Sequence, residues 1–176
     1  FDRTNGLPGT CVRLTLLRAS HFPVPHADVG PHDFTVLFQP GASLAQTIRL
    51  GYRASVPAQQ ITGQHAVSPL FDVTPADTAT DASTVSGVLP EAVKMAEDRS
   101  GDVIVRLYES LGRQEKARLT PHFAWTKVQE VGLIEKPNDA VQPAIDGGAA
   151  HADPSAPLDL TVHPFQIVTL RFTPQH

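Results

Sequence analysis

The sequence predicts an all-β protein: an antiparallel β-sandwich region with one short helix. Two observations carry that expectation. Sixteen prolines and twelve glycines, 28 of 176 residues, interrupt the chain often enough to favour brief elements joined by turns over long helices. Between the interruptions, apolar side chains alternate with polar ones at the two-residue period of a half-buried strand. A composition of 41% apolar and 18% charged residues is that of a globular chain rather than a disordered one. At 176 residues the chain is long enough to close a core without disulfide staples.

Thr10 to Arg18 reads as the first strand, with Val12, Leu14 and Leu16 on one face and Arg13 and Thr15 on the other. Ser20 to Pro31 holds three prolines and a glycine, which no ladder accommodates, and is expected as a loop. Asp33 to Gln39 reads as a second strand, with Phe34, Val36 and Phe38 sharing a face. After Pro40-Gly41, Ser43 is placed to cap a helix in which Leu44, Ile48 and Tyr52 recur every fourth residue, and Pro57 ends it.

Val67 to Val73 is a strand candidate interrupted by Pro69, and Thr74 to Thr84 is a Thr/Ala/Asp stretch without periodicity. That change in pattern suggests a division into residues 1–66 and residues 67–176. From Val85 onward a meander is expected: Val85 to Leu89, Ala92 to Ala96, Val103 to Ser110 and Lys116 to Thr120, four short strands at the spacing of a sandwich. Asn138 to Pro157, rich in Ala, Pro, Gly and Asp, is expected to be an exposed, mobile insertion. Leu158 to Phe172 is the last strand, in which Pro164 demands a bulge or an edge position and the buried face is partly reassigned.

Several function classes lose support at this level. A formal charge of −4 without any basic run leaves no footprint for a nucleic-acid backbone, and no apolar run of membrane-spanning length occurs, so neither partner is expected. Phe1 to Gly6 lacks the basic and apolar regions of a secretory leader. The one cysteine, Cys11, cannot form an intramolecular disulfide and is expected to pack in the first strand rather than to react. No Gly-x-Ser-x-Gly elbow, phosphate loop or Gly-x-Gly-x-x-Gly supports serine hydrolysis or nucleotide binding.

His21 to Asp33 concentrates three histidines and two aspartates, a density that could ligate a metal. A polar loop in which Asp28 and His32 tie down backbone groups is the favoured reading. His-Ala-Asp occurs twice, at His26 to Asp28 and His151 to Asp153, but in loops rather than on the rigid strand that a metal site prefers. A glycosidase needs two carboxyl groups about 5–9 Å apart. Glu109, Asp102, Glu130 and Glu135 lie near turns or strand ends, and sequence alone brings no two of them together. Arg106 is expected to pair with a carboxylate across its sheet. Trp125 is expected in the core rather than on a sugar-stacking platform.

Val12-Arg13-Leu14-Thr15-Leu16-Leu17-Arg18, followed by Ala27-Asp28-Val29-Gly30-Pro31-His32-Asp33-Phe34-Thr35, resembles the C-terminal β region of family 38 glycoside hydrolases, the class II α-mannosidases. Val93 to Asp98, Val105 to Glu109 and Pro164 to Arg171 resemble later segments of such enzymes in the same order, so the likeness spans nearly the whole chain. Val24 stands where the family has an acidic residue between two prolines, and Val36 where an aromatic is usual.

The resemblance implies a retaining, zinc-dependent α-mannosidase acting on oligosaccharides. Its zinc ligands and catalytic aspartates would lie in an N-terminal catalytic domain followed by a helical domain, so none is assigned to this chain. The chain itself would be a non-catalytic scaffold, packed on those domains and lending Arg18, Asp28 and His32 to the rim of the active site. By the same resemblance, residues 1–66 would be the end of a larger sandwich and residues 67–176 a small C-terminal β-sandwich domain. An abrupt start, with the first strand candidate nine residues in, is what a piece of a longer polypeptide would give. The intact enzyme is expected to be a cytoplasmic homo-oligomer, with lysosomal, vacuolar and secreted locations left open. Two alternatives remain: a stand-alone carbohydrate-binding module with exposed aromatics on one sheet face, and an assembly element whose sheet edges hold an oligomer together.

Overall fold

The computed structural model describes residues 12–64, 67–76, 86–137, 144–149, 152–154 and 156–175. The chain divides into two compact units, Phe1–Phe38 and Gln39–His176.

In the first unit the two segments that alternate like strands, 12–18 and 33–38, contain no strand among the described residues, which corrects that expectation. Alternation marks a face, but a strand exists only where a neighbouring ladder takes up its N–H and C=O groups. Both faces stay open: Val12, Leu14, Leu16, Phe34, Val36 and Phe38 are all exposed. Thr10 and Cys11 lie outside the described residues.

The second unit opens with helix α1 (Leu44–Ser55), and its start was legible in the sequence. The Ser43 hydroxyl accepts the N–H of Gln46 at 3.3 Å, while the Gln46 side-chain oxygen accepts the N–H of Ser43 at 2.8 Å, a reciprocal capping box. The helix ends at Ser55, with Val56 held extended ahead of Pro57, which cannot continue it.

Seven strands follow: β1 (Phe71–Pro75), β2 (Val88–Met95), β3 (Val103–Glu109), β4 (Glu115–Pro121), β5 (Trp125–Val131), β6 (Leu158–Val162) and β7 (Ile167–Pro174). They form two antiparallel sheets, one ordered β1-β4-β6 and the other β2-β3-β7-β5. The inner residues face one another across the sandwich: Ala117, Leu119, Leu158, Leu160 and Val162 from the first sheet, Val88, Val105, Leu107, Val128, Val168, Leu170 and Phe172 from the second. Phe172 sits at the centre, fully buried, with the rings of Phe123 and Trp125 edge-on at 5.6 and 5.4 Å. Trp125 is therefore a core residue, as expected.

The meander differs from its prediction in three places. Val85 to Leu89 and Ala92 to Ala96 are not two strands: Val88–Met95 runs through Pro90 as one, with an irregularity between Pro90 and Ala92. β2 is an edge strand, where a residue that cannot donate is tolerated and a bulge absorbs the mismatch. β5 has no counterpart in the prediction. Its buried residues Trp125, Val128 and Val131 hide the two-residue period: the ladder shifts between Trp125 and Lys127, and Val131 falls on the face opposite to Val128. Leu158 to Phe172 is two strands in different sheets, turned at Pro164-Phe165.

Residues 138–157 are not wholly an exposed insertion, a further correction. Ala144 and Ile145 are buried, Ile145 bridges to Leu160, and Thr161 donates its N–H to the Ala144 carbonyl at 2.8 Å. Residues 138–143, 150–151 and 155 lie outside the described residues, as do residues 77–84 of the predicted Thr/Ala/Asp loop.

Candidate functional site

The loop of the first unit brings two of the three predicted rim residues together. Turns closed by the N–H of Ala27 on the Val24 carbonyl and the N–H of Val29 on the His26 carbonyl fold residues 24–29 back. His32 Nε2 then donates to the Asp28 carbonyl at 3.1 Å, and its ring stacks on Phe34 at 6.1 Å. The His32 ring thus ties down a backbone group, and Asp28 takes part through its carbonyl rather than its carboxylate. Arg18 and His32 are exposed and Asp28 is half-buried. His151, the histidine of the second His-Ala-Asp, lies outside the described residues.

Among the described residues no three His, Cys, Asp or Glu side chains converge closely enough to hold a metal ion.

The carboxylates weighed as a glycosidase pair are each engaged by the fold, and each by a different set of partners. Glu109, fully buried at the end of β3, accepts the backbone N–H groups of Leu111, Gly112 and Phe165 at 2.8, 2.8 and 3.0 Å. Asp102 accepts Arg171 Nε at 2.6 Å, while Arg171 Nη2 reaches Asp98 at 2.6 Å and Ser100 at 2.9 Å. Arg171 and Ser100 hold the Asp98 carboxyl down at about 2.

Glu135 accepts Lys94 at 2.8 Å and the N–H of Glu97 at 2.8 Å, and Lys94 also pairs with Glu97. The bond to Lys94 lowers the Glu135 carboxyl below its ordinary range. Glu130 accepts the N–H of Ala144 at 2.8 Å, and burial raises its carboxyl above the ordinary range against that bond.

Arg106 does find a carboxylate across the sheet, Glu91 on β2, at 3.8 Å. Its closer contacts are the Thr169 hydroxyl at 3.3 Å and the Leu133 carbonyl at 3.0 Å.

A cleft lies between α1 and strands β1 and β2, and sequence reasoning did not single out its cations, Arg49 and Arg53. The available signal was their spacing: four positions apart, they fall on one face of the helix. Tyr52, between them, donates its hydroxyl to that of Tyr108 at 2.9 Å, and burial together with this bond pushes Tyr108 up to about 12.

Residues 87–170, from the turn before β2 into β7, match the family described as the glycosyl hydrolases family 38 C-terminal beta sandwich domain. That stretch of the sandwich is therefore similar to a family 38 C-terminal region. A yeast relative, the alpha-mannosidase of Saccharomyces cerevisiae, is 26% identical over 181 aligned residues, which cover 93% of this chain. The chain spans only 16% of that relative's length. The matched residues contain β2 to β6 and the four carboxylates Asp102, Glu109, Glu130 and Glu135. No helix among the described residues is long and apolar enough to cross a membrane.

Proposed function

We propose that this chain is the non-catalytic C-terminal β region of a retaining, zinc-dependent α-mannosidase that hydrolyses the α-mannosidic bonds of oligosaccharides. The observation that carries the reading is the engagement of Glu109, Asp102, Glu130 and Glu135 by backbone N–H groups and cations of the fold, which leaves none free to act as acid or nucleophile. In this reading the catalytic carboxylates and the zinc ligands belong to the upstream domains of the enzyme. The exposure of Leu14, Leu16, Phe34 and Phe38 supports a scaffold role, because large apolar side chains left open in number are suited to being covered by another part of the protein. The covering partners are the catalytic and helical domains of the same cytoplasmic, homo-oligomeric enzyme. Arg18, Asp28 and His32 lend a polar loop to the active-site rim.

The test is hydrolysis of an aryl α-mannoside, with and without added zinc, by this chain and by a polypeptide extended through the upstream domains. Activity confined to the extended polypeptide is expected. R18A and H32A in that polypeptide should raise KM more than they lower kcat, because a rim residue holds the substrate without touching the reacting atoms. Turnover by the 176 residues alone would overturn the reading, and saturable mannoside binding by them would favour a stand-alone carbohydrate-binding module.

A further inference from the structure

Beyond the scaffold role, we infer that the cleft between α1, β1 and β2 is a binding site for a phosphate monoester carried on a small, largely apolar body. The cleft holds about 410 Å³, within the range of small-ligand pockets. Its floor is apolar, from Phe71, Val73, Val88, Leu89 and Pro90, and its cations come from Arg49 and Arg53, one helical turn apart.

Arg49 Nε is shut off from solvent and has no hydrogen-bond acceptor. A buried guanidinium nitrogen without an acceptor is costly, so little holds Arg49 in this rotamer, and turning its Nε–H and Nη–H edge into the cleft lets an oxyanion there take two parallel N–H bonds. No carboxylate among the described residues pairs with Arg49 or Arg53. Asp72, the acid of the cleft, is instead engaged by His122 at 2.8 Å.

Two adjacent guanidinium charges match the roughly −2 charge of a phosphate monoester better than the single charge of a carboxylate. The apolar floor receives the body of the ligand. The cleft lies entirely within the second unit and owes nothing to the mannosidase reading, so either proposal can fail without the other.

The experiment is a calorimetric titration of the whole chain with inorganic phosphate, phenyl phosphate and benzoate. Phenyl phosphate is expected to bind saturably and more tightly than either of the others. R49A should weaken it about tenfold or more, the loss typical of a bond to a charged group. R49K, which keeps the charge but loses the fork, should fall between, and R53A should weaken binding less than R49A. K127A, which removes a charge from exposed β5, should leave binding unchanged.

Absence of saturable binding overturns the inference, as does equal weakening by R49A and K127A, which would mark diffuse electrostatics. Benzoate binding as tightly as phenyl phosphate would overturn the phosphate assignment, and inorganic phosphate doing so would remove the apolar body. Should R49A fail to fold, R49K and R53A carry the same comparison.

Discussion

Glu109 and Phe165, 56 positions apart, are joined by one hydrogen bond: the buried carboxylate at the end of β3 accepts the Phe165 N–H at 3.0 Å. The same carboxylate accepts Leu111 and Gly112, so a single side chain fixes both the exit from β3 and the turn between β6 and β7, which belong to different sheets. E109A would leave three backbone donors without their acceptor and is expected to destabilise the chain by about 3 kcal/mol or more. E109Q keeps an acceptor oxygen for part of the set and should lose about half as much. Urea unfolding measures both, and a loss below about 1 kcal/mol for E109A would show that water replaces the carboxylate freely.

Asp98 sets an acid limb on stability. Its carboxyl titrates at about 2 in the folded protein against an ordinary 3.8, because Arg171 and Ser100 bind its charged form. A depressed folded value contributes stability above the unfolded value and loses it as pH falls through the folded one. Stability should therefore be level above about pH 5 and fall between about pH 4 and 2. Glu135 and Asp159 are lowered in the same direction by Lys94 and Arg118 and share that limb. D98N should be less stable than the parent at neutral pH, with a shallower acid limb and curves that converge near pH 2. Parallel curves would contradict the assignment.

Glu130 predicts the opposite sign. Burial raises its carboxyl, outweighing the N–H groups of Ala144 and Ile145, so its ionisation costs stability as pH rises past the unfolded value. E130Q keeps an acceptor for Ala144 without the charge. Its unfolding midpoint at pH 7 should equal or exceed that of the parent, with the difference vanishing below about pH 4. A neutral-pH loss that persists into acid would mean that the carboxylate bond outweighs desolvation.

These assignments mark where sequence reasoning reaches its limit. The start of α1 was readable because Ser43 and Gln46 cap it through neighbours in the chain, and Val103–Glu109 because it is a short, strongly apolar run whose burial alternates from Val105 onward. β5 was not readable, since a shift between Trp125 and Lys127 breaks the period that marks a strand. Residues 12–16 show that an alternation is no strand without a ladder beside it. The carboxylates could be named from sequence, but not their roles: the partner of Asp102 is 69 positions away, and nothing near Asp102 announces Arg171. Arg49 went unremarked because its significance lies in the missing acceptor, a property of packing rather than of spacing.

Gly112 separates backbone strain from collision. Its φ of +73° lies in the left-handed region, and a Cβ there would come within 2.7 Å of the Phe165 ring. Phe165 is 71% exposed, so the ring can swing aside at little cost, whereas the backbone cannot, because Glu109 holds the Gly112 N–H at 2.8 Å. G112A should therefore lose about 1–2 kcal/mol, set by φ alone. G112N should lose less, since asparagine tolerates that region. In the double variant G112A/F165A the two losses should add. A coupling above about 0.5 kcal/mol would place the cost in the ring instead and would mean that Phe165 is held more firmly than its exposure suggests.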